Sequence, residues 1–62
     1  MPKKIIVIPT YNEALNIERL INEIFSLKID DLGIIVVDDN SPDNTAGLVE
    51  KLKQKYNNLY LI

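Results

Sequence analysis

Apolar residues fall along this chain in two rhythms. Ile5-Ile6-Val7-Ile8 is a continuous β-branched run that stops at Pro9. Uninterrupted apolar residues mark a strand buried on both faces, as in parallel sheets, so the first strand is predicted here. The period then changes. Ile17, Leu20, Ile21, Ile24 and Phe25 recur at the spacing of one helical face, while Glu18, Arg19, Asn22 and Glu23 occupy the other. Asn12 is placed to cap that helix by accepting a backbone hydrogen bond, with Glu13 in the first turn, where the helix dipole favours negative charge.

Lys28 to Leu32, followed by Gly33, reads as a short polar connection, and Ile34-Ile35-Val36-Val37 repeats the buried-strand signature. Ser41-Pro42 then signals a second helix, because serine caps orphan backbone donors and proline is preorganised for the first helical position. Asp43 supplies early negative charge. Ala46, Val49, Leu52, Lys53 and Tyr56 trace the helical stripe, the Lys53 stem covering apolar surface, and Asn57-Asn58 can end the helix in a left-handed conformation. Leu59 to Ile62 opens a third strand. Strand, helix, strand, helix, strand calls for parallel strands joined by right-handed crossovers, half of a doubly wound α/β sheet.

Length limits this to one small domain, residues 1–62, which buries only about 60% of the surface its unfolded form exposes. The chain has no cysteine, so stability must come from packing rather than disulfides or thiolate-bound metal. Seven basic and nine acidic side chains give a net charge of −2 and no basic stripe, which argues against nucleic acid as a partner. Lys51, Lys53 and Lys55 fall where the second helix should end, and the helix dipole accounts for them. No apolar run approaches the roughly 18 residues of a membrane span, and four apolar residues before Pro9 are too few for a signal-peptide core. The expected compartment is the cytosol.

In an open parallel sheet, ligands bind beyond the carboxyl ends of the strands. Two polar loops qualify there: Pro9-Thr10-Tyr11-Asn12-Glu13 and Asp38-Asp39-Asn40-Ser41-Pro42-Asp43. The first has no glycine, which excludes a dinucleotide fingerprint and a phosphate-cradling loop. A tyrosine and a carboxylate can instead hold a nucleoside, by apolar contact with its ring and by accepting its hydroxyl or ring N–H donors. The same residues also suit helix capping and loop anchoring, and the residues alone leave both readings open. Asp38 and Asp39 are adjacent, so at an extended strand end their side chains point to opposite faces. One can face the ligand while the other supports the loop. Asp43, as an early-helix acid, is explained by the dipole and is not expected to be a ligand.

At these residues a family resemblance becomes specific. Ile6-Val7-Ile8-Pro9-Thr10-Tyr11-Asn12-Glu13, followed after one helix by Val36-Val37-Asp38-Asp39-Asn40-Ser41-Pro42-Asp43-Asn44-Thr45, resembles the opening of family 2 glycosyltransferases. The Asp-Asp-Asn-Ser-Pro-Asp form is most similar to the branch of dolichol-phosphate mannose synthases and polyprenyl-phosphate sugar transferases. The resemblance implies the nucleotide-diphospho-sugar-binding half of the GT-A fold, Rossmann-like with strand order 3-2-1, and guanosine diphosphate mannose as donor. It also implies that Pro9, Tyr11, Glu13, Val37 and Asp39 touch the donor's nucleoside part. The family's Asp-x-Asp metal motif, catalytic base and acceptor region are expected farther along than this chain extends. An Mg²⁺ or Mn²⁺ ion is therefore expected in the parent enzyme, and the isolated chain, a truncated domain, is expected to be inactive.

Paired aspartates after a strand also occur in response-regulator receivers. Receivers carry the pair after the first strand, however, and here it follows the second. A further alternative is a non-catalytic folding or assembly fragment. In the resembling fold the first strand is internal, so its edge should be open here, and a homodimer or higher assembly through that strand or by exchange of a βα unit is expected.

Overall fold

The computed structural model describes residues 2–62. It contains β1 (Lys4–Thr10), α1 (Ala14–Ser26), β2 (Leu32–Asp38), α2 (Thr45–Leu52) and β3 (Leu59–Leu61) in that order. The three strands form one parallel sheet with β2 between β1 and β3, which is the predicted 3-2-1 order. Register places Ile6 beside Ile34 and Ile34 beside Leu59, with Ile8, Val36 and Leu61 in the next such row. These rows share one face, because side chains alternate along a strand.

Both helices cover that face. Ile17 and Ile21 of α1, Val49 and Leu52 of α2, and Ile34, Val36 and Leu59 of the sheet form the buried core. Ile6, Ile8, Ile24, Phe25, Leu48, Tyr56 and Leu61 close around it. The Phe25 and Tyr56 rings lie 4.5 Å apart, and the Tyr56 hydroxyl donates to Asn22 Oδ1, which joins the end of α1 to the segment after α2. Burying a side chain such as Ile34 contributes about 1.5–3 kcal/mol, so this single layer of contacts carries most of the fold.

The opposite face corrects the expectation that the first strand is buried on both sides. Val7 is 59% exposed and Ile5 39%, because no element among the described residues covers the odd-numbered positions. Gly33 is the buried exception. A Cβ there would stand 2.7 Å from Pro2 Cγ, so the lack of a side chain lets Pro2 fold over the start of β2. Strand β2 accordingly begins at Leu32, two residues before the apolar run, and pairs with Lys4 and Ile5. Leu20, expected within the core stripe, is 40% exposed at the margin beside the open edge of β1.

The helix ends also depart from the sequence reading. Helix α1 begins at Ala14 with Glu13 as the N-cap, while Asn12 takes a left-handed turn with φ 55°. Helix α2 begins at Thr45, not at Pro42, because Asn44 is left-handed (φ 66°) and interrupts the run from Ser41. Its last turn ends at Leu52, and Lys53 follows, paired with Glu50 at 3.2 Å. Asn57 and Asn58 are not left-handed. Asn58 instead ties the sheet, its amide donating to Leu32 O at 2.6 Å and its carbonyl accepting from Ile34 N at 3.0 Å.

Candidate functional site

Parallel pairing brings the carboxyl ends of β1 and β2 side by side, with Thr10 opposite Asp38. The loops that follow are joined by hydrogen bonds spanning 28 to 32 residues of sequence. Asp38 is the first tie. It accepts from Thr10 Oγ1 at 3.0 Å, from Ser41 Oγ at 2.5 Å and from Ser41 N at 3.1 Å. These donors, the Ser41 hydroxyl foremost, hold its carboxyl below the ordinary aspartate range, since they favour the charged form.

Asp43 is the second tie. One oxygen accepts from Ala14 N at 3.0 Å and the other from Thr45 Oγ1 at 2.5 Å. Its carboxyl is likewise held below the ordinary range, chiefly by the Thr45 hydroxyl. The sequence explains Asp43 as an early-helix acid; it lies just before α2, where it accepts from Thr45 N at 3.3 Å, and it also caps α1 through Ala14 N. Thr45 is fully buried, and Thr10 nearly so, each with its hydroxyl engaged.

Of the residues the resemblance marks, Asp39 and Tyr11 are exposed, Val37 is 37% exposed, and Glu13 is half-buried. The Asp39 amide donates to Thr10 O at 3.1 Å, which fixes its backbone against the first loop. Among the described residues neither the Glu13 nor the Asp39 carboxylate has a protein hydrogen-bond partner, whereas Asp38 and Asp43 are both engaged. Of the adjacent aspartates, Asp38 supports the loop. Pro9 and Glu13 share a hollow of ≈ 190 Å³ with Ile8, Thr10, Asn16, Ile17 and Leu20. Tyr11, Val37 and Asp39 are not in its lining. A larger, open hollow runs along the outer side of α1 from Ala14 to Ser26 and includes none of Pro9, Tyr11, Glu13, Val37 and Asp39 in its lining.

Sequence reasoning passed over Thr10 and Thr45. For Thr45 a local signal was available, a hydroxyl two residues after Asp43, a spacing at which side chains bond within a turn; Thr10 meets Asp38 across 28 residues, which no local spacing marks.

Comparison with known proteins adds an independent line. The family profile described as Glycosyl transferase family 2 matches residues 5–62. An uncharacterized glycosyltransferase of Mycoplasma genitalium is 43% identical over 58 residues, covering 90% of this chain and 20% of the relative. The GalNAc(5)-diNAcBac-PP-undecaprenol beta-1,3-glucosyltransferase of Campylobacter jejuni is 41% identical over 54 residues, covering 87% and 18%. A dolichol-phosphate mannosyltransferase of Pyrococcus furiosus is 44% identical over 52 residues, covering 82% and 15%. The chain thus spans about a fifth of the length of these relatives. No solved structure matches it.

Proposed function

The chain belongs to glycosyl transferase family 2, and from that premise we propose that it is the donor-nucleotide-binding part of an enzyme that moves mannose from guanosine diphosphate mannose to a polyprenyl or dolichyl phosphate. One observation carries the reading. Two loops at the carboxyl edge of the sheet are tied to each other through Asp38 and Asp43, leaving Glu13 and Asp39 as carboxylates free to accept from a ligand. In this reading their acceptor oxygens take the hydroxyl and ring N–H donors of the nucleoside, Tyr11 and Pro9 supply apolar contact, and Val37 lines the approach. The carriers named for the undecaprenol and dolichol-phosphate relatives support a polyprenyl acceptor.

Enzymes of this family commonly use a divalent metal. Among the described residues no group of three or more His, Cys, Asp or Glu is arranged to hold one. The Asp38 and Asp43 oxygens are also already committed to protein donors. These residues do not fit a metal ion. In our reading an Mg²⁺ or Mn²⁺ ion, the catalytic base and the acceptor site are supplied by other parts of the parent enzyme, so that the isolated chain binds donor nucleotide without transferring sugar. No helix among the described residues is long and apolar enough to cross a membrane, and we place the donor-binding step on the cytosolic side.

Calorimetric titration of guanosine diphosphate into the chain, its Glu13→Gln variant and its Asp39→Asn variant tests the reading. Weak binding that both substitutions reduce is the expected result. Binding indifferent to both, or mannose transfer by the chain alone above a no-protein control, would overturn it.

A further inference from the structure

Every α-helix leaves its first N–H groups without partners inside the helix, and they are usually met by the capping residue's own side chain. In α1 the Glu13 side chain makes no such bond. The other loop instead supplies a partner to Ala14, the first residue of α1, and to the two residues before it. The amides of Asn12, Glu13 and Ala14 donate to Ser41 Oγ at 2.9 Å, Thr45 Oγ1 at 3.1 Å and Asp43 Oδ2 at 3.0 Å. Both hydroxyls in turn donate to carboxylates, Ser41 to Asp38 and Thr45 to Asp43.

This arrangement has a direction. An ionised carboxylate only accepts, so each hydroxyl must send its single proton to the aspartate and is left with lone pairs aimed at the amide. Two relays result, from the Asn12 amide through Ser41 to Asp38 and from the Glu13 amide through Thr45 to Asp43. They hold the backbone at the residues that precede α1, where Tyr11 and Glu13 project. The second relay is the more sheltered, because Thr45 is fully buried.

We propose that Thr45 and Asp43 are positioning residues for the donor: their relay caps α1 from across the site and fixes the turn that presents Tyr11 and Glu13. The proposal rests on the donor-site reading above. It assigns the amides of Asn12, Glu13 and Ala14 to the protein itself, so this turn meets the donor through its nucleoside and not through its phosphates.

Thr45 allows packing and relay to be separated. Thr45→Val keeps the buried volume and removes the hydroxyl, whereas Thr45→Ser keeps the hydroxyl and removes a methyl group. A residue that only fills the core would tolerate valine better than serine; a positioning residue reverses that order. The experiment is hydrogen exchange at the Glu13 and Ala14 amides of the full chain, followed by titration with guanosine diphosphate. Thr45→Val should speed Glu13 exchange and weaken guanosine diphosphate binding by about ten-fold more than Thr45→Ser, the effect of one lost hydrogen bond with a charged relay behind it. Asp43→Ala, at an exposed position outside the core, should speed exchange at Ala14 and weaken binding even if the valine variant does not fold. Unchanged exchange, or a serine variant that binds worse than the valine variant, would overturn the positioning role while leaving the donor site standing. If the unsubstituted chain binds no guanosine diphosphate, the donor-site reading fails and the positioning role with it, although exchange still reports the cap.

Discussion

Ile34 lies at the centre of β2, fully buried, with Ile6 and Leu59 as its register neighbours. Ile34→Val deletes one methyl group from that site, which costs about 0.5–1.5 kcal/mol, and Ile34→Ala costs about 2–5 kcal/mol because the cavity only partly collapses. Folded domains keep about 0.05–0.15 kcal/mol per residue, or about 3–9 kcal/mol for this chain. The valine variant should therefore melt about 2–12 °C lower, at about 4–8 °C per kcal/mol for a domain of this size, and the alanine variant should retain little folded population near its former midpoint. Val7 offers the contrast. It belongs to the adjacent strand but to the uncovered face, at 59% exposure, so Val7→Ala should fall within about 0.5 kcal/mol. Urea unfolding followed by circular dichroism measures all three. Equal losses for Val7→Ala and Ile34→Ala would refute the one-sided core, since they would mean that both faces of the sheet are covered in solution.

Acid should loosen the paired loops. Asp38 and Asp43 are both held below the ordinary carboxylate range when folded, so their contribution is present above about pH 4 and is lost as pH falls through the folded values. The urea midpoint should drop below about pH 4, and the Asp38→Asn/Asp43→Asn double variant should show a shallower drop; parallel profiles would contradict this. Because the amides of Asn12, Glu13 and Ala14 are already bound by Ser41, Thr45 and Asp43, guanosine diphosphate should bind no more than about ten-fold tighter than guanosine without divalent cation, as calorimetry can measure. The open edge of β1 carries unpaired backbone groups next to exposed Ile5 and Val7, a combination that favours strand pairing between copies. Sedimentation equilibrium should show a homodimer at high micromolar concentration, and a monomer with a concentration-independent melting midpoint would exclude it.

The architecture was legible because it rests on periodicity. The runs at Ile5–Ile8 and Ile34–Val37 and the stripe through Ile17, Ile21 and Ile24 each name an element, and their order determines a parallel sheet. Boundaries were less legible, because they depend on bonds to distant partners. Ser41 and Asp43 look like the start of a helix when only their neighbours are considered. In the fold, their side chains face residues 29 positions earlier, and left-handed Asn44 moves the helix start to Thr45. Asn12 fails as a cap for the same reason: its left-handed turn directs the chain into α1 while Ser41 accepts its amide. Burial on both faces could not be read from β1 alone, since an apolar run records what a strand can tolerate and not which neighbours cover it. That Asp38 is the aspartate that supports the loop could not be read from adjacency alone, because it required the position of Thr10.

The central claim is that the paired loops at the carboxyl edge form the nucleoside site, and amide chemical-shift mapping of the labelled chain titrated with guanosine diphosphate tests it most directly. The account predicts that shifts concentrate at Tyr11, Glu13, Val37 and Asp39, with smaller changes at Ser41 and Thr45 transmitted through the relays. Shifts confined to the outer side of α1 around Leu15, Arg19 and Asn22, where the larger hollow lies, would contradict it, as would a spectrum that guanosine diphosphate leaves unchanged.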